Sequence, residues 1–272
     1  MSTAYFQHSG HIRHDQALTD MKTGLLHWRL WQTLAYRDLR RSYYGSFFGP
    51  LWITLSLGIF ILIVGGMYSL VFSMSLQDYI PFLCSGLVSW RFISQFITEG
   101  GTVFLSSGGF IKGFSLPLSV FLYKTVFKSL ITFLHYLIVY AIVAFIFSVP
   151  FTVYSLLLIP GLIIVSLNGL WVMALLGILC TRYRDLQQLL SSAVVLVFFI
   201  TPVLWPDSMI QQYREVVTYN PFYHVVEIVR APLLGKKPDE LSWLVSLGIV
   251  FMGFILTYPL FAKFRSRIVF WI

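Results

Sequence analysis

The sequence predicts an all-α integral membrane protein. Six transmembrane helices are expected, with an amphipathic interface helix before them and an outward re-entrant helical hairpin between spans five and six. Three observations carry this prediction. Of 272 residues, 57% are hydrophobic and 11% charged, whereas roughly a quarter are charged in an ordinary soluble domain. Mean hydropathy is +0.79, and a globule of this length lacks the interior to hide so much apolar surface. Finally, Ser42–Gln77 and Ser129–Thr181 contain no Asp, Glu, Lys or Arg at all.

A helix needs ~20 apolar residues to cross a bilayer. The first span is Leu51–Ser73, and the second is Tyr79–Thr98, interrupted only by Arg91. The stretch after Ser129 is too long for one helix and breaks at Val149-Pro150-Phe151. That gives a third span at Ser129–Val149 and a fourth at Val153–Cys180. The fifth is Leu186–Leu204, closed by Trp205-Pro206, and the sixth is Leu241–Ala262. Residues 1–23 form a polar tail with no secretory signal, since the first long apolar run starts near Phe47.

An even number of spans puts both termini on one side, and charge decides which. With the N-terminus in the cytoplasm, most of the 19 Lys and Arg fall on that side. They lie in the N-terminal segment up to Arg41, at Lys112, Lys124 and Lys128, at Arg182 and Arg184, and at Lys263, Arg265 and Arg267. The net charge of +8 is therefore read as topology, with no nucleic-acid partner. Both termini are therefore expected in the cytoplasm.

Three segments are not plain spans. Within Gly24–Gly45, Arg29, Thr33, Arg37 and Arg40 share one helical face, and Trp28, Trp31, Leu34, Ala35 and Leu39 share the other. Such a helix lies on the inner leaflet. Asp38 breaks its apolar side and is expected to pair with a nearby Arg. The loop Ser106–Pro117 carries Phe110, Ile111 and Phe114, which are expected either to meet a partner or the membrane surface, or to pack on the chain's own helices. Outside, Trp205–Glu240 has an N-cap at Asn220 with Pro221 first in the helix, and Phe222–Leu234 has the length of a re-entrant helix. With Ser208–Thr218 it forms a hairpin dipping into the outer leaflet, kept from crossing by Asp207, Glu215, Glu227 and Arg230.

Several chemistries find no support. No G-x-x-x-x-G-K-[ST] occurs, so the chain offers no such route to ATP. Cys84 and Cys180 lie in apolar runs, and His8, His11 and His14 in a polar tail, so no metal site is read. A proton-coupled carrier would need more intramembrane acids than Glu99 beside Arg91, and an intramembrane enzyme would need a paired nucleophile and base. Arg91 either pairs within the bundle or lines an aqueous path. Tyr43, Tyr44, Trp52, Tyr68 and Trp205 belong to interfacial belts or line a conduit, where flat rings suit the apolar faces of sugars. Gly45-x-x-x-Gly49 serves either a turn or helix packing.

The order of motifs is specific. R-D-L-R-R-S-Y-Y-G-S-F-F-G-P-L-W (Arg37–Trp52) is followed by P-F-L-C-S-G-L-V-S-W (Pro81–Trp90) and G-F-I-K-G-F-S-L-P (Gly109–Pro117). Then come R-Y-R-D-L (Arg182–Leu186), T-P-V-L-W-P and N-P-F-Y-H-V-V-E-I-V-R-A-P-L-L-G, within Thr201–Gly235. From about Gly24 onward the chain resembles ABC-2 transporter permeases, and within them the membrane subunits of polysaccharide exporters.

The resemblance implies a homodimer working with two separate ATPase subunits, which carry the ATP and Mg. This chain would itself be no enzyme and would hold no cofactor. Gly24–Arg41 would cradle the ATPase, and the 106–117 coupling loop would dock on it through Phe110, Ile111, Lys112 and Phe114. The hairpin with Asn220, Pro221, Glu227 and Arg230 would be the outward gate. The cargo would be an O-antigen-like polymer on undecaprenyl diphosphate, with Arg37, Arg40 and Arg41 as head-group candidates, since Arg suits bidentate phosphate contacts. Tyr43, Tyr44, Trp52, Tyr68, Arg91 and Trp205 are the channel-lining candidates. The alternatives are an ABC-2 exporter of drugs or small lipids, or one of teichoic acid or capsule. Six spans do not enclose a pore for a hydrated glycan, whereas a dimer interface of spans one and five does.

Overall fold

The computed structural model describes residues 2–45, 47, 49, 51–206 and 214–272, with side chains from His14 onward except at 214 and 216. The described residues form helices and turns only. In chain order these are α1 (Ser2–Leu26), α2 (Trp28–Ser42), α3 (Leu51–Val71), α4 (Leu76–Gly100), α5 (Gly108–Gly113) and α6 (Ser119–Ile146). After a 3-10 turn at Val153–Leu157 follow α7 (Leu158–Arg182), α8 (Leu186–Ile200), α9 (Arg214–Thr218), α10 (Pro221–Leu233) and α11 (Glu240–Trp271).

Five helical segments are long and apolar enough to cross a membrane: α3, α4, α6, the 3-10 turn with α7, and α11. The protein is thus a multi-pass membrane protein. The fifth expected span is shorter than predicted, because α8 has 15 residues and rises only about 22 Å. Its apolar run continues, but Thr201 turns extended and residues 201–204 fold back to become buried. Tyr79 fixes that turn by donating its hydroxyl to the Leu204 carbonyl at 2.6 Å.

Other helices outlast their apolar stretches. The third span was expected from Ser129, yet α6 starts at Ser119 and carries Lys124 and Lys128. The last was expected to end at Ala262, yet α11 runs through Lys263, Arg265 and Arg267. Hydropathy marks the length in hydrocarbon, and Lys and Arg are good helix formers beyond it. The polar segment is likewise helical from Ser2, and α1 packs on α6 and α11.

α4 is the hub. It packs against α3, α6, α7, α8 and α10, and 72% of its apolar window is buried, against 22% for α3. Helices in lipid gain little from the hydrophobic effect, so close packing holds them. Phe92 meets Phe96 at 5.0 Å and Phe133 of α6 at 4.9 Å. The Gly45-x-x-x-Gly49 pair serves a turn: φ is +78° at Gly45 and +52° at Gly49, with nothing near either Cβ direction among the described residues. Glycine adopts this left-handed backbone without strain.

Candidate functional site

Two ends of the bundle carry the polar chemistry. The first is built by α1, α2, α5 and the adjacent ends of α4, α6 and α11. The amphipathic α2 lies on α6, burying Leu34 and Ala35 and setting Trp31 edge-on to Phe127 at 5.3 Å. Its other face leaves Arg29, Arg37, Arg40 and Arg41 exposed. Asp38 faces α6, so its partner is Lys124 at 2.7 Å and not the arginine expected from the sequence. One turn further along α6, Lys128 pairs with Glu99 of α4 at 2.8 Å, and Gln95 donates to the same carboxylate at 2.7 Å.

These charges surround a polar cavity of about 460 Å³ lined by Asp38, Arg41, Glu99, Thr102, Lys124 and Lys128, with Ser42, Ser106 and Thr125. Of the three arginines proposed for a head group, only Arg41 lines it. Beyond the cavity Arg91 is half-buried, with its guanidinium over the Tyr136 ring at 5.6 Å. Burial, and then the neighbouring Tyr136 and Glu99, push the Tyr43 phenol up, so it stays a neutral donor.

The loop 106–117 contains the single-turn α5. Phe110 and Phe114 are 43% and 63% exposed and stack at 6.4 Å, forming one aromatic knob. Ile111 is only 8% exposed and belongs to the core, so the loop does not present it as the sequence suggested. The spacing explains this: Ile111 follows Phe110 by 100° and turns toward α11. Lys112 donates to the Ile272 carbonyl at 2.7 Å, tying the loop to α11.

Asp20 of α1, which the sequence reading passed over, holds this end together. Its carboxylate accepts from the backbone N–H of Leu118 at 3.1 Å and Ser119 at 3.0 Å, capping α6 directly after the loop. It also pairs with Arg265 of α11 at 2.9 Å. The signals in the sequence were slight: one acid in a polar segment, and lysines at Lys124 and Lys128 with i,i+4 spacing.

The other end holds α10. Asn220 accepts from the Phe222 N–H at 2.9 Å and donates to Thr201 at 3.1 Å, with Pro221 at the first helical position. α10, the second arm of the expected hairpin, packs against α4, α7 and α11 and buries nine of its residues. Lipid would leave its polar groups unmatched; protein satisfies them. Arg230, 4% exposed, donates to Glu227 at 2.9 and 2.6 Å and to the Pro202 carbonyl at 2.6 Å. The Phe82 ring covers its guanidinium at 4.9 Å. Residues 207–213, including most of the hairpin's first arm, lie outside the described residues.

The six channel-lining candidates are not gathered in one place. Tyr44 and Trp52 are exposed. Tyr68 rests on Phe72 at 5.4 Å and Trp205 donates to the Phe199 carbonyl at 3.1 Å, whereas Tyr43 and Arg91 lie beside Tyr136 of α6.

The amphipathic entry helix, apolar helices, knobbed loop and late buried helix occur in an order that can be compared with known proteins. The family model described as ABC-2 type transporter matches residues 29–234. The chain belongs to the ABC-2 type transporter family. Among curated relatives, an O-antigen export system permease protein RfbA of Klebsiella pneumoniae is 26% identical over 239 residues, covering 85% of this chain and 90% of that protein. A second from the same species is 27% identical over the same shares. A protein of the same name from Myxococcus xanthus is 23% identical, covering 86% and 91%. In this ABC-2 chain, the matched region starts in α2 and closes at the C-terminal end of α10.

Proposed function

We propose that this chain is the membrane-spanning permease subunit of an ATP-driven exporter. Its cargo is an undecaprenyl-diphosphate-linked polysaccharide of the O-antigen kind, moved across the bacterial inner membrane. The observation that carries this reading is similarity to O-antigen export permeases over 85% of the chain. Two further features support it. The Phe110–Phe114 knob is an exposed aromatic pair on a mounted loop, suited to the groove of a separate ATPase subunit that supplies ATP and Mg. In addition, α8 has no buried residue, as expected if spans one and five of two copies flank the path.

In this reading α8 and its reversed turn complete a sixth span, and both termini lie in the cytoplasm with α1, α2 and α5. α10 is the outward gate, anchored by Asn220, Pro221, Glu227 and Arg230. Deleting the gene and assaying lipid-linked glycan on each side of the inner membrane tests the proposal. Polymer held inside, with none at the surface, is the expected result. Normal surface glycan would move the chain to the exporters of drugs or small lipids.

A further inference from the structure

The cavity between α2, α4 and α6 has the chemistry of an anion site. Lys124 is 8% exposed, so its ammonium is buried. It spends two donors, on Asp38 at 2.7 Å and Ser107 at 3.3 Å, and an ammonium has three. Lys128 spends one, on Glu99 at 2.8 Å. Arg41 lines the cavity without a carboxylate partner among the described residues. The two carboxylates facing the space, Asp38 and Glu99, each already accept from a lysine. Three cations thus outnumber two acids, with N–H donors left over and the Thr102 hydroxyl beside them.

Location narrows the ligand. Glu99 is the penultimate residue of α4, and the cavity sits where that helix leaves its apolar stretch. The phosphates of a leaflet lie at this depth. The amphipathic α2 lies beside the opening and carries the exposed Trp28, as a helix at the head-group level does. A volume of about 460 Å³ leaves room for a phosphate or diphosphate ester and excludes a folded polypeptide segment.

We infer that this cavity binds the phosphate head group of a lipid, gripped by Arg41, Lys124 and Lys128. Arg37 and Arg40 stand outside it. The inference rests on the cavity and holds whether or not the glycan reading does. The head group comes either from resident anionic phospholipid or from a polyprenyl diphosphate cargo.

Native mass spectrometry of the purified full chain in detergent, titrated separately with phosphatidylglycerol, undecaprenyl diphosphate and inorganic phosphate, tests it without ATP or glycan. Arg41→Gln and Lys128→Gln should each weaken lipid binding about tenfold or more, the size of one charge-assisted contact. Arg37→Gln should stay within twofold of the unaltered protein. Sensitivity confined to undecaprenyl diphosphate makes this the cargo's site, and equal sensitivity of both lipids makes it a general anionic-lipid site. Binding of inorganic phosphate but neither lipid would overturn the lipid assignment. Arg41→Gln touches an exposed side chain and leaves folding intact, so unchanged lipid affinity in that variant would overturn the proposal outright.

Discussion

Glu227–Arg230 and Glu99–Lys128 are both ion pairs within the helical bundle, yet their surroundings differ in kind. Arg230 is 4% exposed, and its guanidinium is closed in by Glu227, the Pro202 carbonyl and the Phe82 ring. The Lys128 and Glu99 side chains are 20% and 28% exposed and border an open cavity. A sealed pair resists rearrangement, because separating it would strand a charge in a low-dielectric interior. A pair at the wall of a wet cavity can exchange partners with an entering ion at small cost. The α10 end is therefore built to stay and the α2 end to respond, although each pairs a glutamate with a basic side chain.

Substitutions sharpen that contrast. The largest effect is expected for Glu227→Ala, which leaves Arg230 buried and unpaired at a cost of about 3–5 kcal/mol. Thermal denaturation in detergent measures it, and a loss comparable to that of an exposed pair would break the comparison. Asp20→Ala removes the cap of α6 and the partner of Arg265, worth roughly 3 kcal/mol. Faster hydrogen exchange in α1 and at Leu118–Ser119, with α10 unaffected, is the expected pattern. Gly235→Ala comes next, at about 2 kcal/mol. Gly235 holds φ +68°, and a Cβ there would strike the Pro150 carbonyl.

Phe110→Asp with Phe114→Asp gives the smallest stability change, within about 0.5 kcal/mol, since both rings face solvent. It should nonetheless abolish co-purification with an ATPase partner and export of the glycan. Ile111→Asp behaves oppositely, destabilising the chain because it buries a carboxylate in the core. If both variants kept the stability and the partner, the loop would have no docking role.

Much of this was legible from residue order. The apolar runs located five spans, and the face of α2 carrying Leu34 and Ala35 was readable from spacing alone. The cap at Asn220 and Pro221 was equally clear, because its stereochemistry is local. Phe110, Ile111 and Phe114 were singled out together, but which of them is exposed was not legible, since burial of one loop residue depends on the neighbour that covers it.

The sequence by itself determined that the chain resides in a membrane, where its apolar stretches lie, and which helix is amphipathic. Those properties follow from composition and periodicity, which need no partner. Only the tertiary structure decided which charge meets which. Asp38 found Lys124 on a helix far along the chain, Asp20 found Arg265, and Arg230 was buried against Glu227 and the Pro202 carbonyl. The physical reason is that ion pairing and polar burial depend on distances of a few ångströms between segments remote in sequence. Hydropathy fixes only which segments must leave water.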